Sequence, residues 1–223
     1  MGLGECSAGG RAAVLLASGA ILLAACGGAG ATMKYAAGPS ALGATYDFDQ
    51  DEAGTAPRSA TILSGSWQVR QEAGAPSAPN ALCQTGIAEF PAIQLGDGAF
   101  KNLTLSVRFK PISGQEDQAG GLIFRAQDAR NYYILRANAL EGNVNFYRYV
   151  GGQRTEIKGG SAQLSAGQWR ELRAEARGKH LRGFLDGRLV VEADDDTFLA
   201  GKVGLWTKAD SVTCFEDFKT EPA

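Results

Sequence analysis

Across residues 120–150 apolar and polar side chains alternate with period two, the pattern of a strand with two unlike faces. Leu122, Phe124 and Ala126 share one face; Ile123 and Arg125 share the other. Asp128-Ala129-Arg130-Asn131 is a turn, because Asp and Asn side chains bond their own backbone and tolerate turn dihedrals. Tyr133, Leu135 and Ala137 then oppose Tyr132, Ile134, Arg136 and Asn138. A second turn, Leu140-Glu141-Gly142-Asn143, leads to Val144, Phe146 and Val150, set against Asn145, Tyr147 and Tyr149. The pattern predicts a three-stranded meander. One face is apolar, and the other presents Arg125, Tyr132, Arg136, Asn138, Asn145, Tyr147 and Tyr149.

The same period recurs on both sides of this stretch. Leu103, Leu105, Val107 and Phe109 alternate with Thr104, Ser106, Arg108 and Lys110, and Pro111 ends the run. Residues 66–69, 81–84 and 92–95 read as shorter strands. Glu171, Arg173, Glu175 and Arg177 alternate with Leu172, Ala174 and Ala176, which predicts a solvated outer sheet face. Asp186-Gly187 between two apolar runs predicts a hairpin, since both residues accept positive φ. Asp194-Asp195-Asp196 reads as a solvated turn, and residues 202–208 and 212–219 as closing strands. No helical period occurs in residues 45–219. About thirteen short strands with regularly spaced turn signals predict an all-β, two-sheet antiparallel sandwich.

Composition narrows the function classes. The 223 residues carry a net charge of −2, with no basic stripe for nucleic acid. One histidine, His180, excludes sites built from several imidazoles, and its neighbours mark it as a surface residue in a turn. The 30 glycines punctuate strand-like runs, as an all-β chain requires. Asp47, Asp49 and Asp51 imitate the opening of a calcium loop, but Glu52 and Arg58 stand where that loop needs Gly and Glu. Calcium would need ligands from elsewhere; no cofactor is otherwise expected.

Residues 1–25 read as an export signal: Arg11, then an apolar run too short for a membrane span. The run ends Leu23-Ala24-Ala25-Cys26, which resembles the lipobox of bacterial lipoproteins. The resemblance implies a diacylglycerol on the Cys26 sulfur, cleavage before it and acylation of the new amine. Several acyl chains anchor stably to a bilayer. Gly27 is not Asp, so a host with two membranes would carry the protein on the outer one. Residues 26–44, rich in Gly, Ala, Ser and Thr, form a tether. The sandwich is expected over 45–219, with a tail at 220–223.

Three segments carry a further resemblance. They are Gly121-Leu122-Ile123-Phe124-Arg125 with Asn131-Tyr132-Tyr133; Phe184-Leu185-Asp186-Gly187; and Gly201-Lys202-Val203-Gly204-Leu205-Trp206 with Phe215-Glu216-Asp217-Phe218. Together they resemble the laminin-G-like, concanavalin A-like jelly roll and approach the 3-keto-disaccharide hydrolase domain. In that fold the early and final strands lie close together. The resemblance therefore implies a disulfide between Cys83 and Cys214; the alternative is two unpaired core cysteines. Glycosidases of this sandwich class carry a Glu-x-Asp-x-x-Glu strand, which is absent here, and there is no Gly-x-Ser-x-Gly elbow.

The positive signal is for sugar binding. Sugars need aromatic faces for their C–H surfaces and planar donors for their hydroxyls. Tyr132, Tyr147, Tyr149 and Trp206 offer the first; Arg125, Arg136, Asn138, Asn145 and Lys208 offer the second. Trp206 and Lys208 alternate with Val203, Leu205 and Thr207 and so point away from the core. The expectation is an open, concave sheet face that binds carbohydrate or a glycoconjugate without catalysis. The alternatives are a sugar-acting hydrolase, a structural or protein-interaction module, or arginines that merely hold turns through Asp128, Glu141 and Asp210.

Overall fold

A computed structural model describes residues 43–77 and 79–223. The export signal, Cys26 and the tether up to residue 42 lie outside the described residues. The regular elements, in chain order, are β1 (Ala44–Tyr46), β2 (Ala60–Ser64), β3 (Trp67–Gln71), β4 (Asn80–Gln84) and β5 (Ala92–Leu95). Then come β6 (Leu103–Ser113), β7 (Ala119–Asp128), β8 (Asn131–Asn138), β9 (Asn143–Val150) and β10 (Gln153–Ser161). The series ends with β11 (Arg170–Arg177), β12 (His180–Leu185), β13 (Arg188–Asp194), β14 (Lys202–Trp206) and β15 (Val212–Pro222). All are strands. β15 continues through Pro222, with Glu221 opposite Thr104, so residues 220–222 are strand rather than tail.

Two antiparallel sheets stack as a jelly-roll sandwich. One has the order β13-β12-β11-β6-β15-β4-β3, with β1 added beside β15; the other is β10-β9-β8-β7-β14-β5-β2. The period-two pattern decides what lies between them. Leu122, Phe124, Tyr133, Leu135, Phe146 and Leu205 from the seven-stranded sheet meet Leu105, Val107, Phe109, Leu172, Ala174 and Phe215 from the eight-stranded one. Burial of this apolar surface is the dominant stabilising term.

Cys83 and Cys214 are directly opposed on β4 and β15 and are joined as a disulfide. Their neighbours Leu82 and Phe215 point inward, so the bridge lies on the outer side of its sheet, beneath Ile112 and Trp169. Asp186 and Gly187 both take positive φ (47° and 76°) at the tip between β12 and β13, as the hairpin chemistry demands. The Asp194–Asp196 stretch is less solvated than its sequence suggests. Asp195 accepts hydrogen bonds from the Tyr133 hydroxyl (2.5 Å) and from Arg148 (2.9 Å), tying the strand end to the other sheet. His180 begins β12 rather than lying in a turn, and its Nδ1 lies 2.9 Å from Asp194.

One strand deviates from simple alternation. The register of β7 against β14 gains one residue between Ile123 and Ala126, and Arg125 takes φ of +50° there. A bulge inserts one residue and flips those that follow. Ala126 consequently joins Ile123 on the outer face, instead of sharing a face with Leu122 and Phe124.

Candidate functional site

The outer face of the seven-stranded sheet is a second cluster rather than a solvated surface. Side chains of Ile123, Tyr132, Ile134, Tyr147, Trp206, Ala92, Ala119 and Ala126 pack there, with Leu63, Phe90 and Tyr149 against them. Cross-strand register assembles it: Tyr132 opposes Tyr149, Ile134 opposes Tyr147, and Arg136 opposes Asn145. Trp206 is 0% exposed. Phe90 stacks on it at 5.8 Å, and the edge of Phe90 meets Tyr149 at 5.5 Å.

Arg154 on β10 roofs this cluster. Its guanidinium carbon lies 4.6 Å from the Tyr147 ring centre, 5.0 Å from Phe90 and 5.7 Å from Trp206. The sheet register sets Arg154 opposite Tyr149, and its long side chain reaches the diagonal neighbour. Burial lowers its pKa, and the nearby Arg136 charge adds to that.

Beside the aromatic floor runs a chain of polar contacts. Arg136 donates to both Glu141 oxygens (3.2 and 2.6 Å) and to Asn143 Oδ1 (2.8 Å). Burial pushes the Glu141 carboxyl up, but hydrogen bonds from Arg136 and Asn143 more than offset this, so its pKa lies below the ordinary value. Asn138 donates to Asp117 at 2.5 Å, and Lys208 pairs with the other Asp117 oxygen. Asn145 Nδ2 donates to the Tyr147 hydroxyl (3.1 Å) and to Glu156 (3.0 Å). Desolvation raises the pKa of Tyr132 and of Tyr147, so both remain neutral phenols. Asp117 reaches the face on a loop that Asp210 holds by accepting the amides of Gln115 (2.6 Å), Glu116 (3.1 Å) and Asp117 (3.1 Å).

Among the described residues four buried polar atoms on this face have no hydrogen-bond partner: Arg136 Nε, Asn145 Oδ1, Arg154 Nη1 and Trp206 Nε1. The Trp206 indole N–H lies against the Tyr132 hydroxyl without a bond of good geometry. Buried groups in that state are rare, because losing water without replacement costs roughly 1–3 kcal/mol each.

Of the residues singled out in the sequence, Tyr132, Arg136, Asn138, Asn145, Tyr147, Trp206 and Lys208 come together here. Arg125 does not. The bulge turns it to the end of the sheet, where it is fully buried and donates to the carbonyls of Lys101 (2.8 and 3.1 Å) and Phe198 (3.0 Å). It ties two loops together. Trp206 and Tyr132 are also not the open stacking platform expected of them: both are buried as floor, and Phe90, Tyr149 and Arg154 form the layer above. The face is built, but much less of it meets solvent than the alternation suggested.

The sequence reading missed Arg154, Phe90, Asp117 and Glu156. Arg154 and Glu156 lie on β10, whose segment QRTEIKGGS holds one large apolar residue, Ile157, and so gives no strand signal. Phe90 and Asp117 lie on loops. Among the described residues one group of three metal-ligating side chains is gathered, Glu72 with Cys83 and Cys214, and the disulfide engages both sulfurs. Asp47 accepts the Asp49 amide (3.2 Å) in a local turn, and Asp49 accepts the Asn80 amide (3.1 Å), tying that turn to the start of β4. A separate cleft of about 1220 Å³ is lined by Leu164, Arg170, Leu185, Arg188 and Leu189, none of which belongs to this face.

Comparison with known proteins agrees with this architecture. The levanase of Bacillus subtilis (strain 168) is 33% identical over 88 residues, which is 39% of this chain and 13% of the levanase. The chain thus spans a small part of that relative's length. The carbohydrate binding module CBM66 from Bacillus subtilis superposes with a TM-score of 0.62 at 23% identity, covering 73% of this chain and 95% of the module. A second Bacillus subtilis structure, described as having a galectin-like fold, gives 0.54 at 12% identity, covering 73% of this chain and 88% of that one. At such identities the likeness is one of fold. The sequence model of one family matches residues 62–219, and the chain therefore belongs to the 3-keto-alpha-glucoside-1,2-lyase-like domain family.

Proposed function

We propose that this protein binds carbohydrate on the outer face of the seven-stranded sheet. The observation that carries the reading is the convergence of Arg136 Nε, Asn145 Oδ1 and Arg154 Nη1, three buried groups without partners, beside a layer of Phe90 and Tyr149. A sugar supplies what they lack: hydroxyls that both donate and accept, and C–H faces for aromatic rings. The likeness to a levanase and to a carbohydrate binding module supports the same reading. A glycan array tests it. Retention of a defined set of glycans, lost in Asn145→Ala and kept in Arg108→Ala on the opposite sheet, is the expected result. Retention of none overturns the reading.

A lipid at Cys26 would hold the domain at the bacterial membrane, outermost in a two-membrane host, through the 26–44 tether. The Leu23-Ala24-Ala25-Cys26 box supports this. Labelled palmitate should enter the wild-type chain in cells and not a Cys26→Ser chain.

A catalytic reading has one specific support besides the family's name. Among the described residues no cation pairs with Glu156, which reaches this face, whereas Asp117 and Glu141 are each held by a basic side chain. A carboxylate so placed could act as a general base. Incubation with a 3-keto-disaccharide, followed by product analysis, separates the readings. Turnover abolished by Glu156→Gln would establish the enzyme, and intact substrate would dismiss it.

A further inference from the structure

Arg154 is the cation of this face that no carboxylate neutralises. Arg136 is paired with Glu141, and Lys208 with Asp117. Among the described residues Arg154 enters no ion pair. It is held by the faces of three aromatic rings, and its Nη1 is buried without a partner. Ring faces recover part of what a guanidinium loses on leaving water, but not the loss of a counter-charge. Glu156, two residues along β10, does not supply one; it is exposed and accepts from Asn145. Among the described residues the half-buried charge of this face that lacks an ion-pair partner is therefore positive.

A second guanidinium faces the same place. Arg136 is 1% exposed and keeps an unpartnered Nε after both its terminal nitrogens are engaged by Glu141. Both arginines pack on the Tyr147 ring, at 5.2 and 4.6 Å. Two N–H groups from planar guanidinium forks, with one net charge between them, match a planar pair of anionic oxygens better than a hydroxyl.

We propose that the ligand of this face is an acidic sugar, whose carboxylate lies against Arg154 with Arg136 Nε as a second donor. The proposal rests on the carbohydrate-binding reading and gives its substrate class. Neutral hydroxyls of the same ring fall to Asn145 Oδ1, and its C–H face to Phe90 and Tyr149. A uronic acid residue has this combination of one carboxylate and several hydroxyls.

The test uses the full chain and an array in which each acidic oligosaccharide is printed beside its methyl ester, its neutral parent and a sulfated analogue. Fragments of polygalacturonate and glucuronoxylan serve as the acids. The acids are expected to be retained about tenfold or more above their methyl esters, the scale of one charge-assisted pair. Arg154→Gln should erase that preference and Arg154→Lys keep part of it, with circular dichroism showing that both variants fold. Equal retention of acid and ester overturns the acidic-sugar proposal and leaves the carbohydrate reading standing. A preference for sulfate overturns the carboxylate class. A preference for acids that survives in Arg154→Gln overturns the role of Arg154. Retention of no glycan overturns both readings.

Discussion

Arg136 is buried to 1% exposure, yet both its terminal nitrogens end on Glu141, a residue in the turn that follows its own strand. The β8–β9 turn is therefore the counter-ion of the face it borders. Glu141→Gln keeps the shape but leaves the buried guanidinium without its charge partner. The expected loss is about 1–3 kcal/mol of unfolding free energy, moderated because Glu141 itself is half exposed. Urea unfolding of the two proteins measures it.

The Cys83–Cys214 bridge joins residues separated by 131 positions in sequence. Closing so long a loop restricts the unfolded chain, and removing such a bridge costs about 2–5 kcal/mol. The Cys83→Ser, Cys214→Ser double variant is expected to melt well below the wild type. Reductant should lower the melting temperature of the wild type and leave the variant unchanged.

Two carboxyls give opposite pH dependence. Hydrogen bonds from the Gln115, Asp117 and Glu116 amides hold Asp210 below its ordinary pKa. Its contribution is present above the unfolded value and is lost as pH falls through the folded one. Burial raises the pKa of Glu216, despite hydrogen bonds from Ser77. Its contribution is present at low pH and is lost as pH rises through the folded value. Unfolding free energies measured from roughly pH 3 to pH 7 should show this by difference. The gap between wild type and Asp210→Asn narrows toward acid, while the balance between wild type and Glu216→Gln moves against wild type as pH rises.

Gly204 on β14 lies opposite Gln94, and a Cβ there would stand 2.0 Å from the Ile93 carbonyl oxygen. Backbone cannot yield as a side chain does, so Gly204→Ala must part β14 from β5. Trp206 is two residues further along the same strand and should move with it. The expected result is a loss of about 1–3 kcal/mol, with Trp206 becoming accessible to acrylamide quenching. Unchanged stability and quenching would show that the two strands are not pressed together as described.

Alternation alone settled which side of β8 and β9 each residue occupies. Tyr133, Leu135 and Phe146 point inward, and Tyr132, Arg136, Asn145 and Tyr147 outward, because a strand admits two side-chain directions and a core claims one of them. Asp186-Gly187 likewise fixed its hairpin, through the φ its two residues tolerate. Arg125 shows where such local logic ends. A bulge is a mismatch between two strands, so neither strand's sequence announces it, and the one residue that β7 gains against β14 carried Arg125 away from the face.

The disposition of the candidate site was a tertiary decision. Arg154 and Phe90 come from an edge strand and a loop with weak patterns of their own, and they meet Trp206 only once the sheet is assembled. Sequence alone determined the all-β sandwich and the outward-facing residues of the meander, since both follow from the geometry of one chain segment at a time. Which of those residues lie buried, which charges are neutralised and which N–H groups lack partners depends on segments far apart in the chain. Burial and pairing are properties of neighbours in space, and the assembled fold alone supplies them.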